Sequence, residues 1–506
     1  MRSTDYRNAA IQAWQSGDAV EAISRMRDAV RAAPADLSLL ATLGEYLWAN
    51  YEFDEALRIF GVCAEEEEFN SLLCIQVAQK HFSLGRFEPA AMWLEHAVHR
   101  APADTVAKTM LGEVCERCDR LDDAERHARD ALRLNAENVK AFRLLAHVQR
   151  RRGDMAGARE LLQKQLRLVT SPEDWRLRME LAAVLDRLGE YDEAMRELIL
   201  AKEQLRPVAT PFLDDARKLR TRQLEIAEAL TPSDLSSWFA PANRPGNSTR
   251  LTILCGHPRS GTTLLEQILA AHSEVISTDE TGVWQKEFLD PMIRQATTAA
   301  SAVRELNEFD AEQLSAGRAS YLRFTQAHLG QTVGNRMLVE KDPSLTPDLP
   351  LPLRLFPETK VIFPIRDPRD ICISYFFTIV PLNLISAHAV DLVATAEFCA
   401  HSFRMWRHWR ETLPCAKLET RYEQLVTDAP GELRRVFDFL GLEWDESVLR
   451  FHEKSFSKGV RTPTYADVAQ PIYARSIGRW KNYERHLEPC LEILEPALRE
   501  FDYKAG

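Results

Sequence analysis

The stretch LTILCGHPRSGTTLLEQILAAH, residues 251–272, decides how the second half of this chain folds. LTILC (251–255) has the length and aliphatic content of a buried strand. GHPRSGTT (256–263) follows as a glycine loop, and LLEQILAAH continues as a helix with Leu264, Leu265, Ile268 and Leu269 on one face. Strand, glycine loop and helix form a setting for an anion, because backbone N–H groups of the loop and of the helix N-terminus converge on one point. Against the nucleotide-triphosphatase template G-x-x-x-x-G-K-[ST], Gly256 and Gly261 have the right separation and Thr263 fills the last position. Thr262 stands where the lysine for the β- and γ-phosphates belongs, and Arg259 offers a cation from inside the loop instead. A triphosphate with magnesium therefore fits poorly. Asp367, which follows an apolar run, lies among arginines and does not suit a metal ion.

Outward from the loop, KVIFPIRDPRDICISYFF (360–377) opens as an apolar strand, and Arg366 emerges at its C-terminal end, where α/β folds bind ligands. Arg366 and Ser374 can meet on one phosphate if a helix turns back between them. Arg369 reads mainly as a solvated cation at the helix start. RMLVEKDPSLTP (336–347) gives another strand, Met337 to Val339, ending at Lys341-Asp342-Pro343. VISTDETGVW (275–284) carries Asp279 and Glu280 shortly after the loop helix.

HPRSGTTLLEQIL is similar to the 5′-phosphosulfate loop of sulfotransferases, and its P-R-S-G-T-T opening resembles that of the tyrosylprotein sulfotransferases. The resemblance covers about 249–500, with four motifs in order. It implies an α/β phosphate-loop-like domain with a parallel sheet, using 3′-phosphoadenosine 5′-phosphosulfate as co-substrate and no metal. It further implies that Pro258, Arg259, Ser260, Gly261, Thr262 and Thr263 cradle the phosphosulfate. Arg366 and Ser374 take the 3′-phosphate. Glu280 becomes the base that deprotonates the acceptor, with Asp279 one residue away as the alternative. Lys341 in its K-D-P segment stabilises the sulfuryl group and its leaving oxygen. Tyr422, in RYEQLV, is expected near the adenine nucleotide, or as a buried aromatic. In TPTYADVAQPIYARSIGRWKNY (462–483), Thr464 replaces a catalytic-site serine and Arg479 a lysine before tryptophan. The R-K-G triplet of the cytosolic sulfotransferases is missing there; Gly478, Trp480, Lys481 and Asn482 fit, and Arg475 is a candidate 3′-phosphate ligand.

The first half is organised differently. Ala22, Ala56, Ala90, Ala124 and Ala158 recur every 34 residues, and Ala194 follows 36 later. Five residues before each stands a turn position: Gly17, Tyr51, Gly85, Asp119, Gly153 and Gly189. Seven residues after each stands Ala29, Cys63, Ala97, Ala131, Gln165 or Ala201, and Pro34 and Pro102 close two units. A turn, a small residue for close helix approach and a terminating proline describe a helical hairpin. One hairpin cannot bury its apolar face, so neighbours must stack. Period and pattern resemble the tetratricopeptide repeat over about 3–207, in six units. That resemblance implies a concave surface for a protein or peptide partner. The acidic run Glu65–Glu68 reads as a solvated inter-repeat face. The expected domain layout is a repeat array over 1–207, a capping helix and linker over 208–248, and a sulfotransferase domain over 249–506. Fused repeats of this kind look like bacterial proteins combining the two parts.

Composition narrows the rest. The chain has 506 residues, 45 % hydrophobic and 27 % charged, as in ordinary globular protein. A net charge of −11 argues against broad nucleic-acid binding, so an anion must be caught by a few placed cations. No run of about 18 apolar residues suggests a membrane span, and the start lacks the apolar core of a secretory signal. Nine scattered cysteines suggest a reducing compartment, and the expectation is a cytoplasmic enzyme. Cys115 and Cys118 form the one C-x-x-C and read as packing residues. The acceptor stays open between protein tyrosine and a carbohydrate, lipid or small-molecule hydroxyl. Rival readings are a nucleotide kinase or GTPase, and a non-catalytic repeat scaffold with a nucleotide-binding domain. Oligomeric state is not legible.

Overall fold

The computed structural model describes residues 2–66, 71–168, 171–240, 249–294, 296–378, 382–453, 468 and 470–504. Close contacts divide it into two compact units: residues 1–153 with 326–332, and residues 154–325 with 333–506.

The first unit is built from helical pairs. Ser3–Gln15 pairs with Ala19–Ala32, Leu37–Ala49 with Phe53–Glu66, Ser71–Ser83 with Phe87–Arg100, and Thr105–Arg117 with Leu121–Leu134. Val139–Arg151 follows. The alanines of the 34-residue period, Ala22, Ala56, Ala90 and Ala124, are fully buried. A larger side chain at any of them would hold the paired helices apart. The turn positions Gly17, Tyr51, Gly85, Asp119 and Gly153 all have left-handed backbone, with φ of 85°, 67°, 71°, 62° and 85°. Glycine adopts this conformation freely, whereas a tyrosine does so at a cost of roughly 1 kcal/mol. The Tyr51 ring recovers stability by packing against Phe53 and His328, with centroids 5.4 and 5.3 Å apart. Helix starts are capped by side chains: Asp36 accepts from the Ser38 N–H, Asp104 from Val106 and Ala107, and Asn138 from Ala141.

The second unit begins with Met155–Leu168, Asp174–Leu188 and Tyr191–Ala229. Ala158 and Ala194 are buried here, and Gly189 has a φ of 79°. The boundary expected at 207 falls inside the Tyr191–Ala229 helix, which runs on through Pro207 and Pro211. Each proline removes one backbone donor, but packing sustains the helix: Ala209 and Leu213 cluster with Ala387, Val390 and Ala394. Further along, Gln223 Nε2 donates to Asp348 at 2.9 Å, while its Oε1 meets His401 Nε2 at 2.9 Å.

Among the described residues, five strands form one parallel sheet: β1 (Leu251–Leu254), β2 (Val275–Ser277), β3 (Met337–Lys341), β4 (Lys360–Ile365) and β5 (Lys417–Arg421). Their order is β2-β3-β1-β4-β5. All of β1 and all of β3 are buried, as expected for strands covered on both faces. Leu254, Val339 and Ile362 join Leu265, Ile268, Leu269, Leu433 and Phe437 from flanking helices in one core. The chain builds β2 and β3 on one side of β1 and then β4 and β5 on the other. The crevice beyond the C-terminal ends of β1 and β4 is therefore the switch point where such sheets bind ligands.

No helix among the described residues is long and apolar enough to cross a membrane. Cys115 is buried and Cys118 half-buried, both as free thiols, and burial pushes them up to about 11 and about 12. Such thiols are poor nucleophiles at neutral pH.

Candidate functional site

Every strand delivers one element of the site from its C-terminal end. β1 leads into the loop 255–261, β2 into Thr278–Glu280, β3 ends on Lys341, β4 precedes Arg366, and β5 precedes Tyr422. Arg259, Glu280, Arg366, Ser374 and Tyr422 border a cavity of about 390 Å³, while Lys341 is fully buried and lies outside its lining.

The loop is tight. Gly256 has a φ of 148°, and its N–H and C=O both bond Thr346 Oγ1, at 2.8 and 2.7 Å. Gly261 has a φ of 101°, and a Cβ there would lie 2.6 Å from Cδ2 of Tyr422. Arg259 also has left-handed backbone, with a φ of 76°. Strain of this kind persists only where the surroundings over-determine it. Ser260 is buried, and its Oγ has no hydrogen-bond partner among the described residues. Thr262 and Thr263 open the helix Thr262–Ala270, so their N–H groups have no partner within the helix, and both residues border the cavity.

Arg259 Nε donates to Ser374 Oγ at 2.9 Å, which joins the first loop to the helix Pro368–Phe376. Arg366 Nη1 donates to the Arg259 carbonyl and Nη2 to the Ser476 carbonyl, each at 2.9 Å. Its guanidinium lies over the Tyr422 ring at 4.3 Å. Tyr422 therefore fills the space between Gly261 and Arg366. Tyr422 is buried and also lines the cavity.

A charged cluster forms the other end. Backbone pairing of β2 with β3 continues past Ser277: Thr278 N–H bonds the Val339 carbonyl and Glu280 N–H bonds the Lys341 carbonyl, both at 3.1 Å. This sets Glu280 beside Lys341, at the cost of left-handed backbone at Asp279 and Glu280 (φ 51° and 59°). Lys341 Nζ lies 2.6 Å from Glu280 Oε1, 3.3 Å from Asp279 Oδ1, 3.3 Å from Glu266 Oε2 and 3.5 Å from Thr263 Oγ1. The ammonium is fully buried, while the Glu280 side chain is 40 % exposed toward the cavity. Burial opposes the charge on Lys341, but Glu266, Glu280 and Asp279 together outweigh it and hold its pKa above the ordinary range. Burial raises the Glu280 pKa, against the pull of Lys341. Burial also pushes Glu266 up to about 7.

The remaining expected residues lie elsewhere. Arg479 does not border the cavity: it pairs with Asp186 at 3.1 Å and stacks on Phe377 at 4.2 Å. Arg475 is exposed, lies over the Tyr473 ring at 3.8 Å and does not border the cavity either. Thr464 lies outside the described residues, as do Glu67 and Glu68 of the acidic run. Arg369 is a correction. It is buried rather than solvated, paired with Asp367 at 2.8 Å and stacked on Trp480 at 3.7 Å.

Three features escaped sequence reasoning. Asp370 accepts the N–H groups of Gly478 (2.7 Å) and Trp480 (2.8 Å), and so fixes the turn that carries Ser476. Thr346 clamps Gly256. Glu266 sits buried under Lys341, and its one sequence signal is a carboxylate inside the apolar run LLEQIL. The donor set suits an anionic nucleotide: loop N–H groups, two guanidiniums, an unpartnered serine hydroxyl and a glycine cradle that a Cβ would fill. No group of three or more metal-ligating side chains occurs among the described residues.

Two families of known proteins match parts of the chain. Residues 252–446 match the model described as the sulfotransferase family, and residues 105–130, 140–164 and 175–198 match the tetratricopeptide repeat. An uncharacterised protein of Aquifex aeolicus (strain VF5) is 26 % identical over 332 residues, covering 63 % of this chain and 41 % of that protein. Protein-tyrosine sulfotransferase 1 of Danio rerio is 27 % identical over 275 residues, covering 50 % of this chain and 72 % of its own length. Protein-tyrosine sulfotransferase 2 of Gallus gallus is 27 % identical over 256 residues, covering 46 % and 62 %. The chain thus spans from 41 to 72 % of these relatives' lengths. It carries tetratricopeptide repeats followed by a sulfotransferase-family domain built on a parallel sheet.

Proposed function

We propose that the second unit transfers a sulfuryl group from 3′-phosphoadenosine 5′-phosphosulfate to an acceptor hydroxyl. The observation that carries this reading is the convergence, on one cavity, of an anion loop, two guanidiniums and the Glu280 carboxylate, with the buried Lys341 paired to that carboxylate from behind. The Glu280 carboxylate takes the acceptor proton. The acceptor oxygen forms the new O–S bond, and the bond from sulfur to the 5′-phosphate oxygen breaks. The leaving 3′-phosphoadenosine 5′-phosphate keeps that electron pair. Arg259 and Lys341 balance charge on the moving oxygens, which fixed cations can do without a metal. Arg366 and Ser374 hold the 3′-phosphate, and Tyr422 sits beside the nucleotide. Arg475 and Arg479 are assigned no contact with the donor. The acceptor proposed first is protein tyrosine, on the ground that relatives named protein-tyrosine sulfotransferases share the domain. The repeats are proposed to bind a protein or peptide partner.

Calorimetric titration with 3′-phosphoadenosine 5′-phosphate tests the donor assignment. Binding without magnesium, weakened at least about tenfold by Arg366→Met, is the expected result; two charge-assisted hydrogen bonds of about 1.5–3 kcal/mol each are at stake. Tighter binding of ATP with magnesium would point to a kinase or GTPase.

A further inference from the structure

We infer that Glu266 is a positioning residue for sulfuryl transfer: it draws the Lys341 ammonium down onto the loop helix and so keeps Glu280 basic enough to accept a proton. This inference rests on the proposed function.

The geometry is a contest for one cation. Lys341 Nζ is shared between Glu280 at 2.6 Å and Glu266 and Asp279 at 3.3 Å each. Glu266 is fully buried and does not border the cavity, so its place in the cluster is not to touch substrate. Its Oε1 accepts from Ser277 Oγ, which locks the carboxylate in place, and its Oε2 faces the ammonium. A carboxylate buried on the core side of a helix without need would be an expensive choice, since an apolar residue of that size would pack there. Without a counter-carboxylate below, only Asp279 would share Lys341 with Glu280, and the larger share of its charge would make Glu280 a weaker base.

The groups facing the cluster come from four elements. They are Glu266 and Thr263 on the loop helix, Ser277 at the end of β2, Asp279 and Glu280 beyond it, and Lys341 at the end of β3. Asp342 adds negative charge from the same strand end, whereas burial pushes the neighbouring Glu340 up to about 8 and leaves it mostly protonated at neutral pH. Glu266 and Glu280 therefore titrate as a pair. Removing the charge on Glu266 acts on Glu280 twice in the same direction: it removes a like charge and releases Lys341 to it.

The test is the isosteric variant Glu266→Gln, compared with Glu266→Asp, which keeps the charge. Transfer from labelled donor to a tyrosyl peptide is followed from pH 5 to 9. The wild type should show an acid limb in kcat/KM above the ordinary glutamate range, because burial raises the Glu280 carboxyl. Glu266→Gln should move its midpoint down by at least about 0.5 unit and lower the kcat plateau about three- to tenfold. Glu266→Asp should keep the wild-type limb. In parallel, 13C NMR of labelled glutamate carboxyls reads the pair without any acceptor: the Glu280 resonance should titrate at lower pH in Glu266→Gln. Coincident wild-type and Glu266→Gln limbs, or an upward shift, overturn the inference. A wild type that transfers nothing overturns the proposed function instead, while the NMR titration still decides the role of Glu266.

Discussion

Replacing Lys341 with methionine keeps most of the side-chain length and removes the one cation among Glu266, Asp279 and Glu280. Breaking a buried ion pair by deleting one partner costs about 3–5 kcal/mol. The site is tense even when intact: Glu266 sits at about 7 with Lys341 beside it, which corresponds to about 3 kcal/mol of uncompensated burial once it is ionised. A carboxyl whose folded pKa is raised costs nothing where both folded and unfolded forms are protonated. Its full cost is present above the folded pKa. In the wild type that window runs from the ordinary glutamate range up to about pH 7. In Lys341→Met its upper end moves higher, and Glu280, already raised, becomes a second such group. The stability gap between wild type and variant should therefore widen with pH, from a small value at pH 5 to about 3–5 kcal/mol at pH 8. Urea unfolding read by tryptophan fluorescence measures it, since Trp238, Trp284, Trp406 and Trp409 are all buried in this unit. A variant as stable as wild type at pH 8, or a gap that narrows as pH rises, would refute the reasoning.

Other substitutions test separate parts. Gly261→Ala places a Cβ 2.6 Å from Tyr422 at a φ of 101°; the backbone strain alone is about 1–2 kcal/mol, and nucleotide affinity measured by calorimetry should fall at least about tenfold. Asp370→Ala strands the N–H groups of Gly478 and Trp480, each costing about 1–3 kcal/mol if left unpaired; the urea midpoint should drop and nucleotide binding should weaken, and an unchanged midpoint counts against the turn being held by Asp370. Glu280→Gln should reduce transfer by about 10²–10⁴, and the wild-type acid limb should lie above the ordinary glutamate range, because burial raises this carboxyl. Ala124→Leu overfills a fully buried helix contact and should destabilise the first unit by about 1–3 kcal/mol, visible as a lowered melting temperature.

The two parts of the chain differed in what their sequences revealed. The repeat was legible in detail, because each hairpin imposes the same demands in the same place. The five periodic turn positions of the first unit, Tyr51 and Asp119 included, have left-handed backbone, and its periodic alanines are fully buried. The glycine loop was legible because Gly256, Gly261 and the aliphatic strand before them are local requirements. The spacing of Arg366 and Ser374 pointed to a helix after the strand, and the helix Pro368–Phe376 carries Ser374. What stayed hidden depends on contacts between residues far apart in the chain. Nothing near Arg479 announces that Asp186, 293 residues earlier, takes its charge. Arg369 looked solvated because Trp480 and the buried face of its helix lie outside its own neighbourhood. The helix Tyr191–Ala229 crosses two prolines because distant residues, among them Ala387 and Val390, pack along it. Glu266 reads as an ordinary helix carboxylate until Lys341 is placed above it.

The most direct measurement is transfer of radiolabelled sulfate from 3′-phosphoadenosine 5′-phosphosulfate into the components of a host lysate, without added metal, by the wild-type chain and by Arg259→Ala. The expected result is a labelled acceptor with the wild type and loss of that label with Arg259→Ala. No label above the enzyme-free blank, or equal labelling by the two proteins, would contradict the assignment of this cavity to sulfuryl transfer.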